Sequence, residues 1–321
     1  MKSVTVPWFV RVAESTHVLL VPVCVSLVCF IPFLILDSSA SYFVEFGMSV
    51  RQMLGTSLLF CVIPGYTVFA NCHSWALSRR TVREFAQLIP ASAQETAAAV
   101  TSRPGLWIIP AVLAGSLWGS DFSDLSWLAN FANQTAYDLW LRLMAAIAWG
   151  FVFWLLCWRV KCSFALYRLG RQLEIDVYGL HGLSGFVLVP LIHLLIVVGG
   201  IALLPLQSLD FQIRWANYQA GLFIAAISLF LLVLPPILGL HQNMRDCIAR
   251  RLQELQVEVD DCGRGDFSRL ALLIEHRETV RSFTSWPLDI GFVGKLLFYL
   301  FIPPLAWVAA ALVERAVDSA I

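Results

Sequence analysis

Apolar residues along this chain gather into runs of about 20, each closed by a short polar segment, the length at which a helix crosses a hydrocarbon core of roughly 30 Å. Such runs occupy 17–36, 53–72, 105–119, 139–158, 184–205, 221–240 and 288–313. Within lipid every backbone polar group must be satisfied inside its own segment, so the runs are predicted to be helices. The fold expected is therefore all-α: a polytopic membrane bundle of about seven transmembrane helices. The first run also admits a signal peptide, with Ser38-Ser39-Ala40 as the cleavage site. Its apolar core exceeds the 7–15 residues usual in signals, which favours a retained span.

Between the last two runs the pattern changes. Met244, Ile248, Leu252, Leu255 and Val259 recur at helical spacing, which continues the sixth span about 30 Å beyond the membrane at 1.5 Å per residue. Cys262 to Gly265 reads as a turn, and Leu270, Leu273, Val280 and Phe283 form a returning stripe. Residues 241–286 are thus expected to be a helical hairpin, with Pro287 disfavouring helix at Trp286. The segment 83–103 is Ala-rich and amphipathic, broken at Pro90, and reads as a surface connection.

Charge then orients the bundle. Of 22 Lys and Arg, 17 fall in segments that share one side if residues 1–16 are cytoplasmic: Lys2, Arg11, Arg79, Arg80, Arg83, Arg103, Arg159, Lys161, Arg168, Arg171 and seven in the hairpin. The positive-inside rule places the N-terminus and hairpin in the cytoplasm and the C-terminus outside. The organisation expected is a cytoplasmic 1–16, spans one to three over 17–119, an exterior loop, fourth span and basic connection over 120–183, spans five and six over 184–240, the hairpin, and a last span with a short exterior tail over 287–321. Trp107, Trp118, Trp127 and Trp140 flank the acidic exterior loop as an aromatic belt would. Asn133-Gln134-Thr135 on that loop is a glycosylation sequon, relevant only in a secretory host. Arg264-Gly265-Asp266 matches an adhesion tripeptide but falls on the cytoplasmic side.

Composition agrees with a membrane class, at 59% hydrophobic and 14% charged, a balance unlike that of soluble globular chains. Net charge is zero and no like-charge block points to nucleic acid. Eight cysteines form no CxxC pair, and they read as small apolar residues. The halves also echo each other: Pro64 and Arg79-Arg80 match Pro235 and Arg250-Arg251 at one offset of 171 residues. A parallel duplication of spans one to three in spans five to seven explains the echo, and so does the general likeness of Pro-bearing apolar helices that end in arginines.

Candidate chemistry is sparse. Ionisable groups inside spans are functional candidates because hydrocarbon penalises them, and three qualify: Arg142, His193 and Lys295. Arg142 lies one turn from the exterior boundary, where it can snorkel outward, and Lys295 can also reach an interface. His193 suits either a neutral imidazole bonded inside the bundle or a site. Pro64, Pro110, Pro190, Pro235, Pro236, Pro287, Pro303 and Pro304 each remove a donor and free a carbonyl, which kinks helices and is tolerated where protein or a cavity answers the carbonyl. No paired aspartates or HExxH occurs inside a span, and one histidine is too few for haem or quinone chemistry. No catalytic residue, metal ligand set or cofactor is expected.

No motif ties the chain to a family. In plan alone, with seven spans, an inside N-terminus and long helices before a broken last span, it resembles insect chemoreceptor-type channels, whose last-span signature is not evident. The expectation is a multi-pass cell-membrane protein, inner membrane in a bacterium, that conducts or transports a small ion or solute. His193 and Lys295 would sit on the route through spans five to seven, and residues 241–286 would gate or assemble a homo-oligomer or membrane complex. A non-conducting assembly or sensory subunit that docks a partner through the hairpin is the alternative.

Overall fold

A computed structural model describes residues 20–35, 50–102, 108–119, 136–175, 183–204, 206, 223, 226–262, 267–283, 286, 294 and 298. Among them the chain is all-helical, with no strand. The helices are α1 (Leu20–Ile35), α2 (Val50–Glu84), α3 (Gln94–Thr101), α4 (Ile108–Gly119), α5 (Ala136–Gln172), α6 (Ser184–Ile201), α7 (Leu234–Asp260) and α8 (Phe267–Ser282). Three helical stretches, Leu54–Glu84, Ala136–Gln172 and Ala226–Asp260, are long and apolar enough to cross a membrane, which supports a membrane protein. Leu20–Ile35, Ile108–Leu117 and Gly185–Ile201 are shorter apolar helices that coincide with the first, third and fifth expected spans. Apart from residues 294 and 298, the seventh span with Lys295, Pro303 and Pro304 lies outside the described residues, as do Pro287, the exterior loop as far as residue 135 with its sequon, and the Arg264-Gly265-Asp266 turn.

Two helices outrun their apolar runs. The second and fourth spans were expected to end at Cys72 and Trp158, yet α2 continues to Glu84 and α5 to Gln172. No proline or glycine pair follows either run, and Arg, Leu, Ala and Cys carry the helix onward at little propensity cost. At 35 and 37 residues both exceed the roughly 20 that a bilayer core needs.

Helix α5 is the axis of the fold, packing against α2, α3, α4 and α7. Its buried face includes Leu141, Met144, Ala148, Leu155, Cys162, Leu166 and Leu169. Around its second half lies the main core, to which Phe85, just past α2, contributes, while α6 adds Phe186, Val189 and Leu194, and α7 adds Ile237, Leu240 and Met244. Cys61, Cys72 and Cys162 sit in apolar clusters, as small hydrophobes do. The connection 83–103 is more than a surface strap. Pro90 breaks it as its fixed geometry requires, and α3 with its N-cap Ala93 then seats Ala93, Ala97 and Val100 in the core at spacings of four and three residues. Trp75 Nε1 donates to Thr101 O at 3.2 Å and Lys161 Nζ donates to Ser102 Oγ at 2.6 Å, so both serve the C-terminal end of α3.

Small residues let backbones meet, as membrane helices require. A Cβ at Gly65 would overlap the Pro22 carbonyl oxygen and Ser26 Oγ of α1, and a Cβ at Gly239 would overlap the Tyr167 carbonyl oxygen of α5. Asn243 of α7 donates its Nδ2 to Gly170 O and Leu173 O at 2.9 and 2.8 Å, answering carbonyls that the end of α5 leaves open.

The prolines behave unequally. Pro64 and Pro190 lie inside continuous α-helix, whereas Pro235 and Pro236 open α7 directly behind a π-helical turn, Leu229–Val233. Prolines at 235 and 236 cannot donate to the carbonyls four residues earlier, Leu231 O and Leu232 O. Ser163 Oγ of α5 serves both, at 2.8 and 3.1 Å. The two prolines related by the 171-residue offset therefore stand in different local geometry.

Helices α7 and α8 pack on each other through Leu255 and Val280, with Ile248, Leu252, Leu273 and Phe283 around them. Met244, the first member of the α7 stripe, belongs instead to the main core. The Trp286 ring stacks on His241 with centroids 4.4 Å apart, so the end of the return meets the base of α7.

Candidate functional site

The site begins with a periodicity along α2. Thr67, Asn71, Ser74, Ser78 and Thr81 alternate at spacings of four and three, which puts them on one helix face. All five are buried. They form a polar seam about 21 Å long at 1.5 Å per residue, inside a bundle whose core clusters are apolar.

Against the middle of this seam lies Arg159 of α5, only 2% exposed. Leu155, Arg159, Cys162 and Leu166 follow one another at spacings of four, three and four, so α5 turns the guanidinium inward with its apolar face. Arg159 Nη1 donates to Ser74 Oγ and, at 3.4 Å, to His193 Nε2 of α6. Arg159 Nη2 donates to Asn71 Oδ1 at 2.7 Å and to Ala70 O at 3.3 Å. Ser74 Oγ lies 2.6 Å from His193 Nε2. The guanidinium carbon sits 5.7 Å from the Trp158 ring, a cation–π distance. Among the described residues, no acidic side chain pairs with Arg159.

The hydrogen bonds fix the tautomer of His193. Arginine can only donate, so Ser74 Oγ accepts from it and passes its own proton to His193 Nε2. Nε2 is then the acceptor and Nδ1 carries the ring proton. Three polar atoms of the cluster have no hydrogen-bond partner among the described residues: Arg159 Nε, Asn71 Nδ2 and His193 Nδ1. All three are N–H donors.

The sequence-derived candidates are placed as follows. His193 is fully buried at the centre of the cluster. Arg142 lies elsewhere on α5, half-buried, and its enclosed Nε has no hydrogen-bond partner among the described residues. Lys295 lies outside the described residues. Arg159, Asn71 and Ser74 escaped the search for ionisable groups inside spans. Arg159 stands one residue past the apolar run and counts there as an interior-side charge, although it is buried. The signal for it was the register of Arg159 with Leu155, Cys162 and Leu166, together with the alternating polar stripe of α2.

A cavity of about 650 Å³ lies between α1, α2, α4 and α5, lined by residues such as Val25, Val68, Val112, Leu113 and Phe151. Its walls are apolar but for Ser116, so it offers little polar chemistry. Among the described residues no group of His, Cys, Asp and Glu is arranged to hold a metal ion.

No family profile, curated protein or solved structure matches this chain.

Proposed function

We propose that this chain is a multi-pass membrane protein that moves a small ion or solute along the polar seam between α2, α5 and α6. The observation that carries this is the buried, carboxylate-free guanidinium of Arg159. Taking a charge out of water costs several kcal/mol even after relaxation, and a merely structural role is met as well by apolar residues of similar volume. A charge retained at that cost on a polar seam suits a site that a solute visits. The route differs from one through spans five to seven, because His193 of α6 meets Arg159 and the seam of α2.

The remainder of the proposal follows the charge count: residues 1–16 and the α7–α8 pair in the cytoplasm, in the cell membrane, with the α7–α8 pair available for gating or self-assembly. No enzymatic step is assigned. The test is reconstitution into liposomes with assays of monovalent ions and small neutral solutes. Flux above that of empty liposomes is expected for at least one class. Folded protein that moves none of them would remove the proposal.

One observation favours a non-conducting subunit that docks a partner. Phe267, Leu272 and Ile274 of α8 are exposed apolar residues on the helix pair. Co-purification of a stoichiometric partner, with no flux from either component alone, is the result that points there.

A further inference from the structure

We infer that the Arg159–Asn71–Ser74–His193 cluster is a binding site for a small monovalent inorganic anion of the halide class. This deepens the transport proposal and rests on it for the anion's passage, though not for its binding.

Each of three side chains is anchored to the cluster through one part and keeps another unspent. Arg159 is held through Nη1 and Nη2 and keeps its Nε–H. Asn71 is held through Oδ1 and keeps its Nδ2 hydrogens. His193 is held through Nε2 as acceptor and keeps its Nδ1–H. A water-filled or cation-binding cluster would leave acceptors over as well as donors. Here only donors remain, around a full positive charge. A buried unpaired N–H is costly, and three in one cluster are not ordinary core packing. A negative charge with no protons of its own beside the guanidinium would answer the charge and the Arg159 Nε–H together.

The groups left unspent select the class. Leu155, Ile196 and Ala70 pack as an apolar cluster beside the site, and the Trp158 ring covers the guanidinium. The guanidinium's paired Nη edges are already spent on Ser74, Ala70 and Asn71, so no bidentate fork is left for a carboxylate or phosphate. What remains are separate N–H groups, which suit a spherical ion. With Ser74 Oγ as acceptor for the guanidinium and donor to His193, the cluster keeps Arg159 oriented when the site is empty.

The experiment compares thermal unfolding of the detergent-purified protein in chloride and in gluconate at equal ionic strength, alongside Asn71→Asp. The substitution nearly preserves shape, removes the Nδ2 donor and supplies the missing carboxylate beside Arg159. Chloride should raise the wild-type Tm by a few degrees. Asn71→Asp should show no chloride response, with a Tm in gluconate at or above that of the wild type. Crystals of the wild-type protein grown in bromide should show an anomalous peak within hydrogen-bond reach of Arg159, which decides the matter if the variant does not fold. Equal wild-type Tm in the two salts, a chloride response surviving in Asn71→Asp, or no bromide at Arg159 would each overturn the site. Chloride binding without flux leaves the site standing and overturns transport, whereas flux without a chloride response does the reverse.

Discussion

Arg159 and Lys161 are two residues apart on one helix, carry the same charge and meet opposite fates. Lys161 reaches the carbonyl end of α3, where a cation is welcome, and Arg159 is enclosed. The difference is 200° of helical rotation, which no count of charges by segment registers. Because Arg159 lacks a carboxylate, its removal has an unusual expected outcome. Arg159→Met keeps the volume and removes the desolvated charge, so Tm in chloride-free buffer should be equal to or above that of the wild type, while liposome flux is lost. Scanning calorimetry and a flux assay measure the two. A stability loss of roughly 3–5 kcal/mol, as when one partner of a buried pair is deleted, would make Arg159 structural glue. His193 was legible as an ionisable group in an apolar run. Its partners were not, because Asn71 and Ser74 are ordinary residues until a second helix shows which face is inside.

Among the elements, the long helices were legible and their ends were not. Hydropathy summed over about 20 residues locates α2, α5 and α7 because lipid exclusion acts on the whole run. It marks an end where polarity rises, but a helix ends where its backbone geometry fails, and α2 and α5 carry their arginines onward in unbroken helix. Proline shows the same limit. That Pro235 and Pro236 free two carbonyls follows from covalent structure, but that Ser163 answers them depends on the register of α5 against the π turn. Ser163→Ala should therefore cost about 1–3 kcal/mol, the desolvation penalty of an unanswered buried carbonyl, whereas an exposed serine on α8 such as Ser268 should change stability by under about 0.5 kcal/mol when made alanine. Equal effects in a detergent unfolding series would mean that water reaches the π turn and takes the place of the serine.

At the scale of the molecule, the sidedness of α7 and α8 decides how the seam could be controlled. Helix α7 touches three things: its residues Ile237, Leu240 and Met244 belong to the core around α5 and α6, Gly239 lies against the backbone of α5, and Leu255 rests on α8. A push on α8 is therefore transmitted to the helix that Ser163 and Asn243 tie to α5, the same helix that carries Arg159. For this to serve as a cytoplasmic gate, α8 must lie inside the cell, as the positive-inside rule predicts from 17 of 22 cations. Single cysteines at Ser268, exposed at the start of α8, and at Ser123 in the predicted exterior loop put this to the test in a background without the native cysteines. A membrane-impermeant maleimide should label Ser123→Cys on intact cells and leave Ser268→Cys untouched, and opening the membrane should make Ser268→Cys react. Because Cys61, Cys72 and Cys162 fill the core, each is better replaced by alanine than by serine, so that no unpaired hydroxyl is buried. Labelling of Ser268→Cys from outside would invert the orientation, and the helix pair could then act only on ligands or partners beyond the cell.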